Sequence, residues 1–226
     1  MQKLFTLIVL FCGWMFPSCS DDAGNIKKFA SEASAADANS SLSMPLEPGQ
    51  YVQWIQDIKN GLKKEKTIED ITFSVQYKPS EYIACMEQKK DELADSTVKK
   101  IVSEISDMQY YDLKIELKDG QGEFLKYKLA SSNEDYEKRV KYCAFDMQKD
   151  IKLLAGNDSM PCTLFHFERA YDLAPYGIFL LGFPLSKIGS DKEAAIVIQD
   201  KLFNKGILKF TFSESELKNL PKLKTL

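Results

Sequence analysis

The chain opens with an apolar run. Lys3 is followed by residues 4–16, which are almost all apolar. This run is shorter than the roughly 20 apolar residues that a permanent membrane-spanning helix needs. A short positive segment followed by such a run is typical of a secretory signal peptide. We therefore predict that residues 1–18 are removed from the mature protein.

Polar and small residues dominate the next part of the chain. Residues 19–48 are rich in Ala and Ser and contain almost no large apolar side chains. Such a composition cannot bury enough surface to offset the entropy of ordering the chain, so we interpret this segment as a disordered tether. Residues 49–226 have the length of one domain and are predicted to form a single globular unit with a sizeable core.

Periodicity in the first half of this domain predicts a mixture of helices and strands. Apolar residues recur at near-helical spacing between Tyr51 and Leu62 and predict a short helix, with Gly61 as its C-terminal stop. Alternation of apolar and polar residues over 71–77 predicts a strand with one buried face. Further helices are predicted to begin near Ser80, Asp95 or Ser96, and Asn133.

The remaining pattern favours strands. Alternation and a turn at 118–122 predict a hairpin over 110–127. In the last third, strands are predicted at 151–154, 162–169, 178–183, 194–199 and 207–212. Consecutive strands joined by short turns favour antiparallel pairing, since parallel pairing would require crossover helices. We therefore predict an α+β fold with a mostly antiparallel sheet, a C-terminal meander and several helices packed on one face.

Charge and cysteine content narrow the possible partners. After removal of residues 1–18, which include Lys3, the chain carries 29 basic and 33 acidic residues. This balance argues against a nucleic-acid partner, which would require a basic face. Cys85, Cys143 and Cys162 remain in the domain at spacings that match no zinc pattern. At most one internal disulfide can form, and buried free thiols are the alternative. We expect neither a metal nor a cofactor.

The residues around Cys19 suggest where the protein resides. Ser18, a small residue, precedes the cysteine, as cleavage by a signal peptidase requires. The site resembles the lipidation site of bacterial lipoproteins in the looser form found in Bacteroidota, because Phe16 and Pro17 stand where an aliphatic and a small residue are usual. The resemblance covers about twenty residues and implies that Cys19 carries acyl chains. Each buried methylene of such a chain contributes about 0.8 kcal/mol to membrane binding.

The residues after Cys19 extend this resemblance. Ser20, Asp21 and Asp22 match the serine and acidic residues that send Bacteroidota lipoproteins to the outer leaflet of the outer membrane. The resemblance thus implies a protein at the cell surface, held to the membrane by its N-terminal lipid, with a periplasm-facing orientation as the alternative. Two other readings stay open. One is ordinary secretion with cleavage near Ser20 and no lipid, and the other is an uncleaved anchor.

A binding loop is expected near the only histidine. Residues 168–177 combine charge, aromatic rings and backbone breakers more densely than any other part of the domain, and binding residues are frequent on loops. Arg169 is one of two arginines, and its planar side chain suits a ligand carboxylate or a pairing with Asp172 or Glu168. The candidate residues are His166, Glu168, Arg169, Tyr171, Asp172 and Tyr176.

Two classes of function fit these observations. The sequence contains no Gly-rich phosphate loop, nucleophile elbow or His-Glu-x-x-His motif. The first hypothesis is therefore a non-enzymatic lipoprotein that binds an unknown protein or small molecule, or joins an envelope assembly, through its sheet face or the loop near Tyr171. The alternative is an extracytoplasmic hydrolase that uses His166, or the carboxylate pair Glu168 and Asp172, as acid and base. A serine or second carboxylate within about 3 Å of His166 in a concave pocket would favour the hydrolase.

Overall fold

The computed structural model describes residues 44–90, 92–118, 122–129, 133–185 and 193–226. The predictions made for the signal peptide, for Cys19 and its lipid, for Ser20, Asp21 and Asp22, and for most of the tether lie outside the described residues. Within these ranges no helix has the length and apolar character needed to cross a membrane.

The described strands form two antiparallel sheets. Their bounds are Lys63–Ile68 (β1), Ile71–Lys78 (β2), Met108–Leu117 (β3), Ile151–Ala155 (β4), Asp158–Pro161 (β5), Leu164–Arg169 (β6), Tyr176–Pro184 (β7), Ala194–Asp200 (β8) and Gly206–Phe212 (β9). The first sheet has the order β1-β2-β3-β7-β6, and the second has the order β5-β4-β8-β9. The predicted α+β class with antiparallel pairing is therefore confirmed.

Helices connect and flank the sheets. The α-helices are Pro48–Gln56 (α1), Ser80–Gln88 (α2), Asp95–Ile105 (α3), Asn133–Lys141 (α4) and Glu214–Lys218 (α5). Short 3-10 turns occupy Ile58–Asn60, Phe124–Lys126, Met147–Asp150 and Tyr171–Leu173, and Tyr142–Asp146 is a π-helical turn. The folded domain begins before Gly49, because Leu46 pairs with Leu223 in an isolated parallel bridge.

The core lies between the two sheets. Alternate residues of β3 are fully buried, among them Tyr111, Leu113 and Ile115. The Tyr111 ring lies 5.5 Å from the ring of Phe212 on β9, so this face of the first sheet packs on the second sheet. Because successive side chains of a strand point to opposite faces, the even-numbered residues of β3 lie on the other side of the sheet, which we call the outer face.

The predicted hairpin over 110–127 is wrong. β3 pairs with β2 on one side and β7 on the other. Phe124 and Leu125 lie in a 3-10 turn and are both buried. Alternation identifies a half-buried strand but not its partners, and two adjacent buried side chains are inconsistent with a strand that buries one face.

The five strands predicted for the last third are all present, but they do not form one meander. β6 and β7 complete the first sheet, whereas β4, β8 and β9 belong to the second. β1 was not predicted because its sequence, with Lys63, Lys64 and Lys66, shows no alternation of apolar and polar residues. Lysines are common on edge strands, where their charge opposes pairing with another chain.

The cysteines of the domain are free and buried. Burial is the main cause that raises the pKa of Cys85 to about 11, that of Cys143 to about 12 and that of Cys162 to about 11. These thiols are therefore protonated at neutral pH and act as small apolar side chains of the core.

Candidate functional site

The candidate residues lie on β6, the edge strand of the first sheet, in the turn after it and at the start of β7. His166 and Glu168 are exposed, whereas Phe167 and Arg169 are half-buried. His166 lies opposite Leu180 of β7 and therefore belongs to the outer face. The alternation of β6 thus separates the histidine from the arginine.

Arg169 takes part in a buried network. Its Nε donates to Oε1 of Glu123 at 2.8 Å, and the Tyr136 hydroxyl donates to Oε2 of the same carboxylate at 2.5 Å. Arg169 also donates to the Tyr136 oxygen, and its guanidinium carbon lies 4.3 Å from the centre of the Tyr171 ring. Glu123 is only 2% exposed. Among the described side chains, the ion-pair partner of Arg169 is therefore Glu123 and not Glu168. The side chain of Asp172, the other partner that the sequence suggested, is not among the described side chains.

The loop after β6 presents apolar side chains at the surface. Tyr171 is 60% exposed and Leu173 is 92% exposed, and both lie in the 3-10 turn that also contains Asp172. Tyr171 has a φ of 51°, a left-handed conformation that costs of order 1–3 kcal/mol in a residue other than Gly. Tyr176, the last candidate, is half-buried on β7, and the Lys114 ammonium lies 4.3 Å from its ring centre.

His166 has no catalytic companions in the described part of the chain. Its side chain makes no hydrogen bond or ion pair there, to a serine, to a carboxylate or to any other group. The same residues contain no group of three or more His, Cys, Asp and Glu side chains placed to hold a metal. The described side chains therefore do not form around His166 the geometry that the hydrolase hypothesis requires.

A groove lies where two helices meet the outer face. It has a volume of about 300 Å³ and is lined by Lys78, Ile83, Met86, Glu87, Ile105, Tyr110 and Leu180. Most of these side chains are apolar, and the volume is at the lower end of the range of roughly 300–1,000 Å³ for small-molecule sites. We call this feature the outer-face groove.

Short connections place the helices over the sheet. Only Pro79 separates β2 from α2, and only two residues separate α3 from β3. Ile83 and Met86 are three positions apart on α2 and so project from the same side of the helix. Leu180, at the sheet side of the groove, is the cross-strand neighbour of both His166 and Asp112. The groove therefore adjoins part of the predicted site.

One ion pair borders the groove on the outer face. The Lys78 ammonium lies 3.1 Å from Oδ1 and 3.0 Å from Oδ2 of Asp112. Burial raises the pKa of Asp112, the contact with Lys78 opposes this shift, and the negative charge of Glu168 adds to it. Glu168 therefore acts electrostatically on the same part of the sheet.

A larger groove of about 680 Å³ lies between α3 and the C-terminal segment 220–225. Its lining combines apolar residues such as Val98 and Val102 with several charged groups. Two of these, Lys99 and Asp95, already form an ion pair. None of the six candidate site residues is among its described lining residues.

The sequence could not have revealed the outer-face groove. Its lining comes from β2, α2, α3, β3 and β7, which are far apart in the chain. Ile83 and Ile105 follow the apolar pattern of their helices, so each is predicted as ordinary core. The one local signal is Met86, a large apolar residue that is 40% exposed on α2, but exposure is not visible in a sequence.

No family model and no curated protein matches the chain. Among solved structures, the crystal structure of a DUF4426 family protein from Pseudomonas aeruginosa PAO1 is similar over 67% of this chain and 92% of that one. The sequence identity is 10% and the TM-score is 0.32, values at which the likeness carries no argument. The interpretation of the groove therefore rests on its own geometry.

Replacing Arg169 with Met is expected to destabilise the domain by about 3 kcal/mol, because it leaves the buried Glu123 carboxylate without its cation. Urea unfolding of the two proteins measures this difference. Glu168→Gln, on the exposed face of the same strand, serves as the control and should change stability by less than about 0.5 kcal/mol. An unchanged unfolding midpoint in the Arg169 variant would show that the network contributes nothing.

Asp112 should titrate above the ordinary aspartate value of about 3.9. Because its pKa is raised in the folded state, Asp112 contributes stability that is complete below its unfolded pKa and is lost as the pH rises through its folded pKa. Glu168→Gln should lower this pKa, and Lys78→Met should raise it further. Carboxyl ¹³C NMR titration measures each midpoint, with Glu137→Gln on α4 as a distant control. An Asp112 midpoint that stays the same in the Glu168→Gln variant would contradict the proximity of the two carboxylates.

Proposed function

We propose that the protein is a bacterial lipoprotein, anchored through acylated Cys19 in the outer membrane and exposed at the cell surface. Its domain then serves as a non-enzymatic module that binds a ligand or joins an envelope assembly. The residues 16–22 support the anchor by their resemblance to the Bacteroidota signal. The acidic balance of the chain supports a partner other than nucleic acid.

The observation that carries the binding role is the outer-face groove. It combines a mostly apolar lining with a few charged groups, Lys78 and Glu87, which is the usual composition of a ligand site. It opens on the outer face of the first sheet, where it is lined by Tyr110 of β3 and Leu180 of β7. The exposed ring of Tyr171 and the exposed Leu173 offer a further contact surface on the loop after β6.

The surroundings of His166 support binding over hydrolysis. A general base must be oriented by a neighbour and must reach the proton that it removes. Within the described residues, the exposed imidazole has no hydrogen-bonded serine or carboxylate. Glu168 is exposed as well, whereas a carboxyl group that acts as a general acid usually lies in a partly buried pocket.

Cys19→Ala is expected to abolish incorporation of labelled palmitate and to move the protein from the membrane fraction to the soluble fraction, because one acylated residue supplies the attachment. Metabolic labelling and fractionation measure both effects. Cys12→Ala, a change in the same predicted signal peptide, is the matched control and should retain lipid and membrane. Undiminished labelling of the Cys19 variant would exclude this residue as the lipid site.

A photo-crosslinking residue at position 86 should form a specific adduct in intact cells, because Met86 lines the outer-face groove. The matched control is the same residue at position 58, since Ile58 is also a large apolar side chain with similar exposure, 49% against 40%. Gel shifts and mass spectrometry identify the adducts. Equal crosslinking at both positions would indicate random collision and would contradict binding at the groove.

A further inference from the structure

The floor of the outer-face groove suits a compact apolar group. Ile83 and Met86 from α2, Ile105 from α3 and Leu180 from β7 supply aliphatic contacts, and Tyr110 adds an aromatic ring. A space of about 300 Å³ corresponds to roughly ten water molecules at about 30 Å³ each. An aliphatic chain of about eight carbons or a single ring is therefore of suitable size.

The rim of the groove carries more negative than positive charge. Lys78 is the one cation among the described lining residues, and both oxygens of Asp112 contact its ammonium group. That pair is electrically neutral. Glu87 also lines the groove and forms no ion pair with any described residue. A negative charge therefore remains at the edge of an apolar space.

Further along the outer face the balance stays negative. Glu168 is exposed on β6, has no ion-pair partner in the described ranges, and contributes a repulsive charge at Asp112. The nearest lysine along β3, Lys114, contacts Glu116 at 2.7 Å. Lys89, the residue after α2, and Glu87 are both exposed to solvent and are screened to a similar degree, but of these two charges only Glu87 lines the groove.

We infer that the outer-face groove binds a ligand that joins a compact aliphatic body to a positive charge, as a primary alkylammonium does. The body occupies the space between α2 and the sheet, and the ammonium lies near Glu87. The Tyr110 ring offers a second favourable contact for a cation. This inference rests on the proposed binding role of the groove and adds the chemical class of its ligand.

Three probes with one aliphatic body separate the roles of shape and charge. These are octylammonium, nonanoate and 1-octanol, which all carry an octyl chain, each titrated below any micelle-forming concentration into the full chain labelled with ¹³C at the methionine methyl groups. Met86 reports on the groove, whereas Met147 and Met160 are buried in the core, with 1% and 3% exposure, and serve as internal controls.

Octylammonium should shift the Met86 signal in a saturable manner and leave the signals of Met147 and Met160 in place. Its affinity should exceed that of nonanoate by about tenfold, as expected for one nearby, partly screened charge, with 1-octanol between them. Glu87→Gln should reduce this preference to less than about threefold, because the remaining charge is more distant and more screened. Glu137→Gln on α4 is the matched control and should leave the preference unchanged.

The possible outcomes distinguish the two levels of the proposal. If none of the probes shifts Met86, the groove does not bind aliphatic ligands, and both the proposed role of the groove and the ligand class fail. If nonanoate binds as tightly as octylammonium or more tightly, the groove remains a binding site but the cationic class is overturned. Shifts of Met147 and Met160 together with Met86 would indicate general solubilisation of the core and would also overturn the inference.

Discussion

The structure depends on the alternation of side chains along β3. Its odd-numbered residues pack between the sheets, where the Tyr111 ring contacts the rings of Tyr77, Phe183 and Phe212 at centroid distances of 5.3–5.9 Å. Its even-numbered residues form the centre of the outer face, with Tyr110 in the groove and Asp112 beside it. A shift of one residue in register would exchange the two faces and would place Asp112 in the core. The same packing that joins the sheets therefore positions the candidate site.

This arrangement explains why a charged pair can border an apolar groove. Taking a carboxylate out of water is costly, and burial raises the pKa of Asp112 for this reason. The two contacts with Lys78 offset part of that cost. On the opposite side of the sheet, Arg169 likewise offsets the cost of burying the Glu123 carboxylate, and Tyr136 is an additional donor to it. Both pairs join residues distant in sequence, so they also tie β2 to β3 and β6 to the segment before α4.

Local patterns were readable from the sequence, and relations between distant residues were not. The alternation over 71–77 predicted β2 because the strand buries one face, and helical periodicity predicted α3. The partners of β3 are not encoded in its own alternation, so the hairpin over 110–127 was wrong. Glu123 lies 46 residues before Arg169, and no spacing rule connects them. The outer-face groove could not be predicted for the same reason, since each of its elements supplies only one to three of its side chains.

The proposed membrane attachment and the proposed ligand binding involve different parts of this chain. If the lipid on Cys19 holds the protein to the membrane, the folded domain needs no apolar surface for that purpose, and an exposed apolar groove requires another explanation. Leaving Met86 40% exposed forgoes burial that would stabilise the domain by about 25 cal/mol for each Å² covered. The carboxylate of Glu87 beside it likewise lacks an ion-pair partner among the described residues. A ligand with an aliphatic body and a positive charge would complement both features at once, whereas a neutral or anionic ligand would complement only the first.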